Sequence, residues 1–131
     1  MADHRFFSRY KLSKTDEFSS VFSFRRRVNG KYLAVHYMPN TVDYVRLGIV
    51  VSKKIARHAV SRNYIKRAIR EVFRLNCQVP RSLDIVVRVN LQFGRHEFHA
   101  VEQEFIQAMG KIPDAMVQAQ KVQAIQKKAV E

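Results

Sequence analysis

The stretch SKKIARHAVSRNYIKRAIREVFR, residues 52–74, limits the fold most strongly, because its periodicity demands a helix with two chemically incompatible sides. With Arg62 set at zero and about 100° per residue, Lys66, Arg70, Arg74 and Arg67 fall at roughly 40, 80, 120 and 140°, and Asn63 near 100°. Tyr64, Leu75, Ala68, Val72, Ile65 and Ile69 occupy the arc from about 200 to 340°, while Ala59, in the first turn, falls near 60°. On this wheel the two sets do not overlap, so one side seats on a neighbouring layer while the other presents cations and an amide to solvent. Glu71, four residues after Arg67, is the one acid placed to neutralise them. Like charges on one arc repel, and a surface shaped for stability alone intersperses acids, so the pattern points to an external polyanion. Arg57, His58, Arg62 and Asn63 cluster at the helix start, where backbone N–H groups and the dipole also favour phosphate, and Lys53 and Lys54 lead into the same end.

The layer on which this helix seats is legible as strands. In KYLAVHYMPN, Leu33, Val35 and Tyr37 alternate with Tyr32, Ala34 and His36, after a turn at Asn29-Gly30. YVRLGIVVS puts Val45, Leu47, Ile49 and Val51 on one side, and SLDIVVRVN does the same with Leu83, Ile85, Val87 and Val89. Two further helices frame them. LSKTDEFSSVF reads as a helix of about ten residues, with Ser13 as cap, Asp16 and Glu17 at its positive end, and Phe18, Val21 and Phe22 on one face. HEFHAVEQEFIQAM brings Phe98, Val101 and Phe105 into register, with Gly110 as its stop. The expected class is α+β, a two-layer sandwich in which helices pack on one mixed sheet. Residues 1–112 form one domain in this reading, and the Ala, Gln and Lys-rich stretch 113–131 is a basic tail, helical or frayed.

A formal charge of +13 on 131 residues makes nucleic acid the first candidate partner, while 47% hydrophobic residues supply enough apolar surface for a core. The single Cys77 forms no internal disulfide, so a reducing compartment is expected, and apolar runs such as Ile85-Val86-Val87 are too short to span a bilayer. A cytoplasmic protein follows. His96-Glu97-Phe98-His99 has its histidines three apart, unlike the His-Glu-x-x-His zinc arrangement, and Ser52 and Ser61 have no identifiable base. A metal hydrolase and a nucleophilic enzyme are therefore disfavoured, as is a membrane-surface helix, whose apolar side the strands require.

The residues Arg62-Asn63, Lys66-Arg67 and Arg70-Glu71, preceded by Ser52-Lys53-Lys54 and Ala59-Val60, resemble the signature of the bacterial ribonuclease P protein family. The likeness extends to Asp16-Glu17-Phe18 with Val21-Phe22, to Arg46-Leu47-Gly48 and to Asp84–Val87, and covers about residues 9–110. It implies an αβββαβα order with a left-handed crossover at the signature helix. It also implies a subunit of a ribonucleoprotein endonuclease that removes the 5′ leader of precursor tRNA. In that family the RNA carries catalysis and requires Mg2+, the protein alone is not catalytic and binds no cofactor, and one protein joins one RNA.

By resemblance, Lys53, Lys54, Arg57, Arg62, Asn63, Lys66, Arg67, Arg70 and Arg74 contact RNA, either the catalytic RNA or the leader. Neither DNA nor a membrane is expected as a partner. Phe18 and Phe22 suit a core stripe by spacing alone, whereas the resemblance places them in a leader-binding cleft. Tyr37 is the strand aromatic expected beside them, with His36 and Val35 as the alternatives of register. A ribosomal or other structural RNA-binding protein shares the size, charge and build, and is the remaining alternative.

Overall fold

The computed structural model describes residues 10–12, 14–42, 44–76 and 82–112, so the expected tail at 113–131 and the Ser13 cap lie outside the described residues. The order is α1 (Thr15–Phe24), β1 (Arg27–Asn29), β2 (Leu33–Pro39), β3 (Arg46–Val50), α2 (Ala59–Asn76), β4 (Leu83–Val89), a 3-10 turn (Arg95–Glu97) and α3 (Phe98–Lys111). The strands form one sheet in the order β1-β2-β4-β3. β2 is antiparallel to β1 and β4, whereas β3 runs parallel to β4. A parallel neighbour needs a crossover, and α2 supplies it.

The alternation read from the sequence places the core. Leu33, Val35 and Tyr37 of β2, Leu47 of β3, and Leu83, Ile85, Val87 and Val89 of β4 are buried on one face. Against them lie Ile65, Ala68, Ile69, Val72 and Phe73 of α2 and Val101, Phe105 and Ala108 of α3. The opposite face is partly covered too: Leu12, Val21 and Val86 form a second buried cluster, with Phe18, Phe22, Met38 and Val50 packed around it. The expected sandwich thus has α1 as an additional, smaller layer, which is why β2 and β4 are buried on both sides.

Local ends differ from the sequence reading at two places. Lys14 occupies the N-cap of α1, and Glu17 Oε1 accepts its N–H at 3.0 Å, so the first turn is closed by an acid three residues inside the helix. α3 runs through Gly110 rather than stopping there. Its end is set by Ile112, 2% exposed and extended, whose anchoring in the core turns the chain away.

One long-range contact holds the β1-β2 turn. Glu104 of α3 accepts the Lys31 N–H at 2.7 Å with Oε1, and the Tyr32 and Leu33 N–H groups at 2.9 and 2.7 Å with Oε2. Gly30 is required by this approach, since a Cβ there would sit 2.5 Å from the Glu104 carboxyl carbon. Hydrogen bonds to a charged acceptor are worth more than neutral ones, and three donors are orphaned together if it is lost. Glu104→Ala should therefore lower stability by about 2–3 kcal/mol in thermal or urea unfolding, with Glu104→Gln intermediate.

Candidate nucleic-acid interface

The cations of α2 reach the surface because the opposite side of the helix is spent on the core. Asn63 and Arg67 are exposed, and Lys66, Arg70 and Arg74 are half-buried along the border. The border is less clean than the wheel suggests. Phe73 falls at about 20°, within the cationic arc, yet it is 1% exposed and forms part of the core. Lys66 and Arg70 therefore flank an aromatic ring rather than open solvent.

The cations do not all have the same freedom. Arg62 Nη1 donates to the Ala56 and Arg57 carbonyls, both at 2.9 Å, and so clamps the segment entering the helix. Arg74 Nε donates to Glu71 Oε2 at 3.2 Å, and this contact holds the Glu71 carboxyl below its ordinary range. Lys66, Arg67 and Arg70 have no acid partner among the described residues. Lys53 and Lys54 are exposed on a turn pinned by Ser52, whose carbonyl accepts the Ile55 and Ala56 N–H groups at 3.2 and 3.1 Å. Arg57 is exposed beside them. Asn63 lies inside the helix rather than at its cap, with no side-chain hydrogen bond to another described residue, so its amide faces outward.

On the α1 side of the sheet, α1, the strands and the turn at Ser52–Ile55 enclose a groove of about 410 Å³. Phe22, His36 and Val50 line it, with Arg27, Lys54 and Arg88 contributing charge. Phe22 meets His36 edge to face, 4.8 Å between ring centres. Tyr37, expected in this groove, is not there. It is 6% exposed in the main core on the other side of the sheet, because β2 pairs His36 with Arg27 and Val86 and so turns His36 toward α1. Nor does Phe18 join the groove walls: it lies over Gly48, where a Cβ would sit 2.7 Å from its ring, and it lines a separate recess at the β3 edge.

Arg27 and Arg88 were missed as candidates. The strand alternation that buries Val87 and Val89 on one face turns Arg88 to the α1 face with Val86, and that signal was available. His96 and His99 do not converge on a ligand set, since no group of three or more His, Cys, Asp or Glu among the described residues is placed to hold a metal.

Burial first, then the positive charges of Arg27 and Arg88, depress the His36 imidazole below its ordinary value of 6.5. His36 is thus neutral in the fold at neutral pH, and its Nε2 is buried without a hydrogen-bond partner among the described residues. The unfolded chain takes up a proton near pH 6.5 that the folded chain refuses, so His36 costs stability as the pH falls below 6.5 toward the lower folded value. His36→Phe should make the unfolding midpoint decline less steeply over that interval than in the parent chain, as measured by thermal melts from pH 7 downward.

Comparison with known proteins agrees with this layout. A family model for ribonuclease P matches residues 6–113. The chain is 44% identical over 112 residues to the ribonuclease P protein component of Azoarcus sp., covering 86% of this chain and 93% of that one. It is 48% identical over 97 residues to that of Chromobacterium violaceum, covering 74% and 80%. Among solved structures, an RNase P protein from Thermotoga maritima superposes with a TM-score of 0.67 at 29% identity, covering 79% and 97%. A mutant RNase P protein from Staphylococcus aureus does so with 0.65 at 27%, covering 84% and 90%. With the family model spanning most of the chain and relatives at 44% and 48% identity, this protein belongs to the bacterial ribonuclease P protein family, the protein subunit of the endoribonuclease that processes the 5′ end of tRNA.

Proposed function

We propose that the two surfaces divide the RNA between them. The α2 face, through Lys66, Arg67, Arg70 and the Asn63 amide, engages the catalytic RNA. The groove under α1 takes the single-stranded 5′ leader of precursor tRNA. One observation carries this reading: α2 bears cations with no acid partner among the described residues, and the groove under α1 has an aromatic floor and its own cations at Arg27, Lys54 and Arg88. A leader of variable sequence is gripped best by ring faces and phosphate contacts, which every nucleotide offers. Phe22 supplies the ring, with His36 in the place first assigned to Tyr37. Lys53 and Arg57 extend the phosphate track from the groove to α2, while Arg62 and Arg74 chiefly support the scaffold. The family match ends at residue 113, in keeping with a separate tail.

In this reading the protein performs no bond cleavage, and the Mg2+ of the holoenzyme sits on RNA. The assembly joins one protein to one RNA in the cytoplasm, where bacterial tRNA matures. No helix among the described residues is long and apolar enough to cross a membrane. The test is cleavage of a leader-bearing precursor tRNA by separately transcribed catalytic RNA at low Mg2+, with and without the protein. Faster cleavage and tighter binding of precursor than of mature tRNA are expected; no stimulation overturns the reading.

A further inference from the structure

At the outer edge of β3 lies the recess that Phe18 lines, with a volume of about 250 Å³. It is separate from the groove. The chain preceding α1 forms one wall, where Lys11 bridges Leu47 and the Leu12 N–H donates to the Leu47 carbonyl at 2.8 Å. Phe18 and Phe73 close it from the two sides of the sheet edge, Ile49 lies between them, and Tyr10 completes the ring-rich lining. Lys66 and Arg70, one helical turn apart, stand at the same recess without an acid partner among the described residues.

Each part of this arrangement asks something of an occupant. A volume below the ~300–1,000 Å³ of ordinary ligand pockets has room for one ring system and not for a chain. Aromatic and aliphatic walls want a flat apolar body. Two cations four residues apart want adjacent negative charge. Gly48 lets the Phe18 ring lie against the strand, since a Cβ there would sit 2.7 Å from that ring. A nucleotide meets all three demands, with its base against the partly exposed Phe18 and Tyr10 rings and its phosphate between Lys66 and Arg70.

We propose that this recess captures one unstacked nucleotide of the RNA partner, a site distinct from the groove under α1. The inference rests on the RNA-binding reading above and adds a base-capturing step to what is otherwise phosphate contact along α2. It accounts for the one irregularity of that helix: Phe73 sits among the cations so that a ring backs the phosphate site.

The test uses the full chain. Two-dimensional NMR with adenosine 5′-monophosphate should shift the backbone amides of Ile49, Lys66, Arg70 and Phe73, whereas inorganic phosphate should shift only those of Lys66 and Arg70. Ile49→Trp fills the recess and leaves every cation in place. It should abolish the nucleotide-specific shifts and weaken binding to the catalytic RNA roughly tenfold, the worth of one stacked base. The inference is overturned if nucleotide and phosphate give the same map, if the nucleotide shifts move to Phe22 and His36, or if folded Ile49→Trp binds RNA as the parent does. Should Ile49→Trp not fold, the maps of the parent chain decide alone. Failure of the parent to stimulate cleavage defeats the broader reading, whereas stimulation that survives in Ile49→Trp with unchanged RNA affinity defeats only this one.

Discussion

Arg46→Met should lower the thermal unfolding midpoint by roughly 10 °C or more, followed by circular dichroism. Asp84 is 2% exposed, and Arg46 grips both its oxygens, Nε to Oδ1 at 2.7 Å and Nη2 to Oδ2 at 2.8 Å. Asn40 Nδ2 donates to Oδ1 at 2.8 Å, and Arg46 Nη1 reaches Glu17 Oε2 at 3.4 Å. Removing the guanidinium leaves a buried carboxylate with an amide as its remaining side-chain partner, and breaking such a pair costs about 3 kcal/mol or more. The loss is larger than the pair's net worth, because the stranded charge is the penalty. Arg46→Met combined with Asp84→Leu should therefore destabilise less than the sum of the two single changes. A strictly additive double variant would show that the pair is not coupled.

The second large effect is on RNA. Changing Lys66, Arg67 and Arg70 together to Gln should reduce the slope of log affinity against log salt by about 2–3, at roughly 0.7–0.9 per lost phosphate contact. The unfolding midpoint should hold or rise, because like charges are removed and no side-chain hydrogen bond to a described residue breaks. Arg62→Gln should behave in the opposite manner, since its guanidinium is bonded to the Ala56 and Arg57 carbonyls. It should lower the midpoint and reduce the slope by less than one contact. Filter binding across 50–300 mM salt, paired with melts, separates the two groups. An unchanged slope in the triple variant would remove α2 from the RNA interface.

Much of this architecture is legible from periodicity because most elements obey it. Leu33, Val35 and Tyr37, and Leu83 to Val89 at every second residue, sit on the face their alternation assigns. The register of the groove aromatic was not legible for a physical reason. Both faces of β2 are covered, so Leu33 to Tyr37 are all buried and no polar face marks which side meets α1. His36, polar and yet 6% exposed, breaks the usual correspondence. Phe73 escaped because the wheel assumes a single docking plane, whereas α2 also wraps the β3 edge, which adds a second one. Glu104 was invisible as a turn anchor because its partners lie more than 70 residues away in sequence, and no local pattern encodes such a contact. Among the cations, types and spacing were readable, but the carbonyl acceptors that occupy Arg62 emerge only once the chain is folded.

The position of β4 between β2 and β3 governs the order of events during synthesis. When the ribosome has made α2, neither earlier strand yet has its central neighbour, and the floor that α2 will cover is missing its middle plank. The polycationic helix thus leaves the exit tunnel before it has a seat, with its greasy and its charged side both unsheltered. Only after Val89 emerges can a late strand slide between two waiting edges, one in each direction. A chain halted before residue 83 therefore offers RNA a sticky basic segment without a scaffold.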